Sequence, residues 1–193
     1  MIVLTSHRGK NSDLIKIAAD FYIDDGMSVA DVTYGKGAFW SGIDTSRFKF
    51  FPSDLQTGID FTRLPYDNQS MDVLILDPPY MHGGQTIKQS INSCYRNQNT
   101  SHESVIRLYT GGILEAARVL KKGGQLWIKC QDEIESGKQR LSSHELKTIC
   151  EILGFEIKDL FILTQPSVPA MREKYQKTAR KNHSYLFITK FRR

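Results

Sequence analysis

Four consecutive residues, Asp77-Pro78-Pro79-Tyr80, combine a carboxylate, two prolines and an aromatic ring directly after the apolar run at 73–76. A continuous apolar run of this kind is typical of a parallel strand buried on both faces. The prolines hold φ at about −65° and supply no N–H donor, so the tetrapeptide presents a rigid set of oxygen acceptors beside a ring. Such a set can hold an exocyclic NH₂ by its hydrogens while a flat base stacks on the ring. The motif therefore predicts chemistry on an amine of a flat heterocycle.

A glycine-containing turn, Asp-Val-Thr-Tyr-Gly-Lys-Gly at 31–37, follows the first predicted strand. Gly35 and Gly37 would let backbone N–H groups approach a ligand at the start of the next helix. The spacing is not the GxGxxG of dinucleotide-binding proteins, because Trp40 occupies the third position, and no phosphate-binding GK[ST] follows. A GxG alone is equally compatible with a tight strand-to-helix turn.

Carboxylates recur after the predicted strands upstream of the tetrapeptide. Asp54 follows the second strand, where an acid can bind ribose hydroxyls. Asp60 and Phe61 end a third short element, where a carboxylate can accept from an adenine amine and a ring can pack on the base. Each aspartate alone is as expected for a turn or a cap. With Asp31 and Asp77 they form a set at four successive strand ends, which indicates a nucleoside site.

Strand and helix patterns alternate along the chain, and this alternation decides the expected fold class. The predicted helices cover 11–22, 104–120 and 143–153, and the predicted strands cover 28–32, 47–51, 71–76, 125–130, 155–163 and 185–189, with a short element at 58–61. Lys121-Lys122-Gly123-Gly124 is expected to end the second helix through cations and a glycine stop. The pattern predicts a doubly wound, mostly parallel α/β sheet with an antiparallel pair at one edge. Such sheets bind ligands at the carboxyl ends of their strands.

Composition limits the classes of protein to which the chain can belong. Its 193 residues, 40% of them hydrophobic and 24% charged, suit one domain spanning 1–193. No apolar stretch approaches the roughly 20 residues that cross a bilayer, and the first residues lack a signal-peptide core. Three cysteines without CxxC spacing indicate neither a zinc site nor a disulfide framework. We therefore expect a cytoplasmic protein with no metal and no membrane partner.

Positive charge is concentrated near the end of the sequence. The net charge is +5, whereas residues 172–193 contain eight Lys and Arg residues and one Glu. This favours a nucleic-acid partner, although a solvated terminal face has the same composition. The candidate contacts are Arg172, Lys174, Lys177, Arg180, Lys181 and His183. For His183 alone, a satisfied polar residue before a strand is the simpler interpretation.

A polar stretch follows the tetrapeptide directly. A structureless segment of about 20 residues in a compact domain is usually either a functional lid or disordered. Residues 81–103 are therefore a candidate substrate lid, with an inert surface insertion as the alternative.

Asp77-Pro78-Pro79-Tyr80 matches the [DNS]PP[YFW] catalytic motif of class I S-adenosylmethionine-dependent amino-methyltransferases, which modify adenine N6 or cytosine N4 in DNA. The chain resembles this family over most of its length. Residues 31–40 resemble the family's cofactor motif, and 115–124 continue the likeness. The segments 127–132 and 179–185 are similar to segments of small bacterial and phage members, which lack a separate target-recognition domain.

This resemblance implies a seven-stranded, Rossmann-like methyltransferase fold with S-adenosylmethionine as cofactor. Asp77 and the Pro78 carbonyl would accept hydrogen bonds from the target NH₂, within a turn that Pro79 keeps rigid. Tyr80 would stack on a base flipped from the duplex. The cofactor would be held by Asp31, Thr33, Tyr34, Gly35, Gly37, Asp54, Asp60 and Phe61, with Lys10 and Asn11 as candidates for its methionine carboxylate.

The expected reaction is methyl transfer to an exocyclic amine in DNA, with N6-adenine favoured over N4-cytosine. One alternative is an RNA N-methyltransferase acting on guanine N2 or adenine N6. Another is a non-catalytic nucleic-acid-binding subunit of a methyltransferase complex, which the intact Asp77-Pro78-Pro79-Tyr80 disfavours. Specificity would come from the candidate lid, the basic segment or a partner chain, and the sequence leaves open whether the protein is a monomer or a dimer.

Overall fold

A computed structural model describes residues 2–80, 101–165, 178–179 and 181–193 of the chain. The strands are β1 (Ser6–Arg8), β2 (Ser28–Asp31), β3 (Lys49–Pro52), β4 (Met71–Leu76), β5 (Leu120–Cys130), β6 (Glu133–Glu135), β7 (Lys138–Arg140), β8 (Phe155–Thr164) and β9 (His183–Phe191). The helices are α1 (Asn11–Tyr22), α2 (His102–Val119) and α3 (Ser142–Ile152). None of the described helices is both long enough and apolar enough to cross a membrane.

Seven strands form one sheet in the order β1-β8-β9-β5-β4-β2-β3, while β6 and β7 form a separate antiparallel hairpin. Strand β9 is antiparallel to both of its neighbours, β5 and β8, and the other described pairs in the sheet are parallel. The predicted seven-stranded, mostly parallel α/β sheet with an antiparallel pair is confirmed. The pair lies one strand in from the edge, because β1, which was not predicted, adds to β8.

Helices cover both faces of the sheet, and β4 is buried between them. Successive side chains of a strand point to opposite faces. Val73 and Ile75 therefore join the cluster beneath α1, whereas Leu74 and Leu76 join the cluster beneath α2 and α3. The apolar face of α1 that packs there consists of Leu14, Ile15, Ala18 and Ala19. Burial on both faces explains why this strand is continuously apolar in sequence.

Most predicted elements are present. Helix α1 and strand β4 have the predicted bounds, and the others shift by one to five residues at an end, the largest shift being at the start of β5. The expected third strand is wrong, since none of residues 58–61 lies in a strand. Asp60 therefore does not follow a strand, and only three of the four carboxylates lie at or just beyond strand ends. The β6-β7 hairpin was not predicted because each of its strands has only three residues.

The expected glycine stop after α2 is also wrong. The helix ends at Val119, and Leu120 is already extended and starts β5. The last helical carbonyls need no glycine motif, because the backbone N–H groups of Gln69 and Ser70 donate to Arg118 and Val119 at 3.0 and 2.8 Å. A Cβ on Gly124 would lie 2.9 Å from the Lys121 carbonyl oxygen, so this glycine allows close backbone packing within β5.

His102 fixes the start of α2 to two other elements. It is 2% exposed, and its ring nitrogens Nδ1 and Nε2 lie 3.0 and 2.8 Å from carboxylate oxygens of Glu133 and Glu145. Burial alone would lower the pKa of His102, but its hydrogen bonds to the carboxylates of Glu145 and Glu133 outweigh this effect and raise that pKa. Through these two contacts His102 joins α2 to α3 and to the hairpin.

Several predictions fall on residues that the structure does not describe. The candidate lid lies outside the described residues up to residue 100, and 101–103 belong to the cap and first turn of α2. Of the predicted nucleic-acid contacts, Arg172, Lys174, Lys177 and Arg180 lie outside the described residues, whereas Lys181 and His183 are described.

Candidate functional site

A cleft opens at the carboxyl ends of β2, β3 and β4, where ligands bind in sheets of this kind. It spans about 360 Å³, part of which is open to solvent, and is lined by Val32, Thr33, Asp54, Leu55, Gln56, Phe61, Asp77, Pro78 and Pro79. Six of these nine were predicted as site residues. Val32, Leu55 and Gln56 were not, because nothing in their side chains signals ligand binding before the strands are assembled. The cleft thus brings the tetrapeptide together with residues that follow two neighbouring strands.

Asp77 presents an unpaired acceptor to this region. The residue is half-buried, but its carboxylate atom Oδ1 is buried and has no hydrogen-bond partner among the described residues. Burial raises the pKa of Asp77, Lys129 opposes this effect with its positive charge, and Asp31 adds to it. Because an unsatisfied buried acceptor is costly, Oδ1 is suited to a donor that a substrate brings.

Thr33 connects the turn after β2 to the tetrapeptide after β4. Its Oγ1 accepts the backbone N–H of Asp77 at 2.8 Å and can donate to Oδ1 of Asp31 at 3.3 Å. The backbone N–H of Thr33 donates to the same oxygen at 3.0 Å. One side chain therefore sets the position of the tetrapeptide relative to the candidate cofactor turn.

Asp31 lies behind the cleft and is not among its lining residues. It is 2% exposed, and its second oxygen, Oδ2, accepts the indole N–H of Trp40 at 2.7 Å. Burial raises the pKa of Asp31 to about 6, against the lowering effect of its hydrogen bonds from Trp40 and Thr33. Both carboxylate oxygens are used inside the protein, so the structure gives Asp31 the task of holding the turn. Trp40 packs in the core, and nothing in the sequence indicated its hydrogen bond to Asp31.

Glycine is required in the turn for two separate reasons. Gly35 and Gly37 have positive φ values of 55° and 69°. A Cβ on Gly37 would lie 2.5 Å from Oη of Tyr34, whose ring occupies the space beneath the turn. The segment that follows is a single 3₁₀ turn, Ala38–Trp40, so the expected helix N-terminus at this point is wrong. Tyr34 therefore supports the turn and does not line the cleft.

The remaining predicted cofactor residues divide into two groups. Asp54 and Phe61 line the cleft, and Oδ1 of Asp54 accepts the N–H groups of Gln56 and Thr57 at 2.7 and 2.9 Å. Asp60 is exposed and accepts from the N–H and hydroxyl of Thr62, both at 2.8 Å. The exposed Lys10 is the N-cap residue of α1 and does not line the cleft.

Tyr80 and Lys129 lie beside the acceptor at the ends of β4 and β5. Tyr80 is partly buried, and its ring centroid is 6.0 Å from Nζ of Lys129. Burial first, and Asp77 second, raise the pKa of Tyr80, which keeps its hydroxyl neutral. Lys129 was not predicted as a site residue. The available signal was one lysine inside the otherwise apolar run Leu126-Trp127-Ile128-Lys129-Cys130.

His183 begins β9 and contacts a neighbouring polar group. Its Nε2 lies 3.0 Å from Oη of Tyr185, which donates to Oδ2 of Asp132 at 3.2 Å. His183 is thus hydrogen-bonded within the protein, as the simpler interpretation expected. Its role in nucleic-acid binding, like that of Lys181, stays a prediction.

Comparison with known proteins places the chain in a family. Residues 71–192 match the sequence model of the DNA methylase family N6_N4_Mtase. None of the curated proteins matches the chain.

Solved structures with the same fold have diverse names. TrmN from Thermus thermophilus aligns over 93% of this chain and 48% of its own, with 16% identity and a TM-score of 0.57. The [4+2]-cyclase SpnF aligns over 94% and 80%, with 15% identity and a TM-score of 0.56. TTHA0409 of T. thermophilus, named as a DNA modification methylase and solved with S-adenosyl-L-methionine, aligns over 86% and 56%, with 14% identity and a TM-score of 0.48.

At these identities the structural likeness shows the fold alone, and one fold hosts many reactions. The chain spans about half the length of TrmN and of TTHA0409. The family match covers well over half of this chain, including β4, the tetrapeptide and β5. The protein therefore belongs to the DNA methylase family N6_N4_Mtase.

Proposed function

We propose that this protein transfers a methyl group from S-adenosylmethionine to an exocyclic amino group of a base in DNA, with adenine N6 favoured over cytosine N4. The observation that carries this proposal is the buried Oδ1 of Asp77 beside the cleft, which has no hydrogen-bond partner in the part of the chain that the structure describes. Membership of the DNA methylase family supports DNA as the substrate.

The residues of the cleft fit the proposed cofactor. Asp54 would bind the ribose hydroxyls, while the apolar side chains of Val32, Leu55 and Phe61 would pack against the adenine. When bound, S-adenosylmethionine supplies an electrophilic methyl group on a positively charged sulfur, which keeps the electron pair of the broken C–S bond as nitrogen bonds to carbon. The turn held by Asp31 and Thr33 would bring that cofactor up to the tetrapeptide.

Asp77 has two tasks in this reaction. Its carboxylate accepts a hydrogen bond from the target NH₂, which orients the nitrogen lone pair and increases electron density on it. As nitrogen gains the methyl group it must lose one N–H proton, which passes to Asp77 and from there to solvent. A carboxylate whose pKa is raised by burial is a better proton acceptor than an exposed one. Tyr80 would stack on the base while this happens.

Incubation of the purified chain with tritiated S-adenosylmethionine tests the proposal. Label is expected on duplex DNA in the wild type and in Asp24→Ala, which removes an exposed carboxylate remote from the cleft. Asp77→Ala should transfer no label. Label on RNA alone would assign the enzyme to RNA. If the cofactor binds but neither nucleic acid takes label, the proposal is wrong.

A further inference from the structure

Lys129 places an ammonium group inside the protein at the carboxyl end of β5. The residue is 1% exposed and is one of the largest fully buried side chains. Its neighbours in the strand, Trp127, Ile128 and Cys130, are fully buried. Because an ammonium loses its hydration on burial, a lysine at such a position costs stability unless other charges or dipoles replace the lost water. Packing alone therefore does not explain a lysine at this position.

The register of the sheet places Lys129 beside Asp77. Leu76 and Ile128 are the last paired residues of β4 and β5. Asp77 and Lys129 are therefore the next residues along two adjacent parallel strands, which lie about 4.8 Å apart. In β9 the residue paired with Lys129 is Leu186, and the buried Ser184, two residues before it, supplies a hydroxyl to the lysine.

The ammonium group of Lys129 lies beside Tyr80 of the tetrapeptide. Its Nζ donates to Oγ of Ser184 and faces the ring of Tyr80. Oη of Tyr109 donates to the Lys129 carbonyl at 2.6 Å and fixes the backbone. No carboxylate of the described residues forms a salt bridge with this ammonium, and the interaction with Asp77 acts through space.

The other charged groups around this pair are few. Burial lowers the pKa of Lys129 and raises that of Asp77, and each charge opposes the effect of burial on the other. Asp31, from β2, acts in the opposite direction and raises the pKa of Asp77. The remaining titratable groups, all with a pKa raised by burial and therefore uncharged at neutral pH, are Tyr80, Tyr109 and Cys130. Lys129 is thus the cation that acts on Asp77 from within the described protein.

We propose that Lys129 is a positioning residue for methyl transfer, the counter-ion that favours the ionised carboxylate of Asp77 and so prepares it to accept the target amine. This inference rests on the proposed function, because it concerns the same acceptor. Lys129 acts through Asp77 and needs no contact with the base. An ionised acceptor binds an N–H more strongly than a neutral acid does. The charge on Lys129 therefore sets the fraction of the protein that is ready to react at a given pH.

Titration of Asp77 by carboxyl ¹³C NMR tests this without any assay of activity, with Asp77→Asn identifying the resonance. Lys129→Met should raise the Asp77 midpoint by about one pH unit or more, the size expected for loss of a nearby opposite charge. Lys129→Arg retains the charge and should leave the midpoint near that of the wild type. Lys122→Met is the matched control, since Lys122 is exposed on the same strand. An unchanged midpoint in folded Lys129→Met overturns the inference.

The pH dependence of kcat then separates this inference from the proposed function. In Lys129→Met the fall of kcat on the acid side of the profile should move to higher pH. One pH unit below the Asp77 midpoint of this variant, kcat should be about tenfold lower than its own high-pH plateau. A uniform loss at every pH with an unchanged Asp77 midpoint would show a purely structural role and contradict the inference. If the wild type transfers no methyl group although the Asp77 midpoint responds to Lys129→Met, the proposed function fails while the coupling of the two side chains stands.

Discussion

Oγ1 of Thr33 accepts the backbone N–H of Asp77 at 2.8 Å, across 44 residues of sequence. Thr33 belongs to the turn after β2, and Asp77 opens the tetrapeptide after β4. These strands are neighbours in the sheet, with Asp31 paired to Ile75. A single hydroxyl therefore fixes the distance between the part of the cleft assigned to the cofactor and the acceptor assigned to the substrate.

Removal of this hydroxyl should impair transfer more than cofactor binding. In Thr33→Val the Asp77 N–H loses its acceptor, and we expect kcat to fall about 10- to 100-fold through misplacement of the tetrapeptide. Steady-state kinetics together with calorimetric binding of S-adenosylmethionine measure the two effects. Thr33→Ser keeps the hydroxyl and should restore most of kcat. A Thr33→Val enzyme with wild-type kcat would contradict the role of this hydrogen bond.

Gly37→Ala should disrupt the turn through a steric clash in addition to backbone strain. The new Cβ would lie 2.5 Å from Oη and 2.7 Å from Cζ of Tyr34, so Tyr34→Phe should relieve only part of the clash. The matched control is Gly26→Ala, because Gly26 has φ of 85° with nothing within 4 Å of the added carbon. We expect Gly37→Ala to weaken cofactor binding and Gly26→Ala to affect stability alone. Equal cofactor affinity in the two variants would argue against a role for the turn.

Trp40→Phe should lower both the free energy of unfolding and the affinity for the cofactor. It deletes the donor to Oδ2 of the buried Asp31, which should cost about 1–3 kcal/mol of unfolding free energy and loosen the turn. Trp127→Phe is the control, because it also removes an indole donor. Nε1 of the buried Trp127 donates to Oε1 of Gln125 at 3.0 Å, and neither residue lines the cleft. Denaturant unfolding should show both variants destabilised, whereas calorimetry should show weaker cofactor binding in Trp40→Phe alone. Loss of affinity in both would indicate a general effect of destabilisation.

The sequence predicts the fold well where periodicity and burial act together. The continuously apolar β4 and the amphipathic α1 have the predicted bounds because each is dictated by local pattern. The end of α2 could not be predicted from local pattern, since its carbonyls are capped by backbone N–H groups at 69 and 70. Strand β1 has three residues and exists through pairing with β8 more than 150 residues later, a contact with no local signal.

The site follows the same rule. The tetrapeptide and Asp54 were found because their chemistry is visible in residue type and in position after a strand. Asp60 was misplaced because its turn, closed by Thr62, resembles a strand end in sequence. Lys129 was missed because its significance depends on the register that puts it beside Asp77.

The buried His102 should make stability depend on pH. Its pKa is raised in the folded protein, so its ion pairs stabilise the fold fully below the unfolded value of about 6.5. This contribution is lost as pH rises through the higher folded pKa. Urea unfolding between pH 6 and 9 should show wild-type stability falling with pH, and His102→Gln should flatten that slope.

His144 provides the matched control for this experiment, because it is exposed on the neighbouring α3. His144→Gln should keep the wild-type slope. A His102→Gln protein whose stability falls with pH as steeply as the wild type would show that the imidazolium pairs do not control the dependence.

The central claim, that Asp77 accepts the target amine for methylation, is tested most directly by nucleoside mass spectrometry after reaction with deuterated-methyl S-adenosylmethionine. The wild type should produce N6-methyldeoxyadenosine with the CD₃ mass in duplex DNA, and Asp77→Ala should produce none while binding the cofactor within a few-fold of wild-type affinity. Labelled N4-methyldeoxycytidine would support the same role for Asp77 and show that the target base is cytosine. Undiminished transfer by Asp77→Ala, or unlabelled DNA from a wild type that binds the cofactor, would contradict the claim.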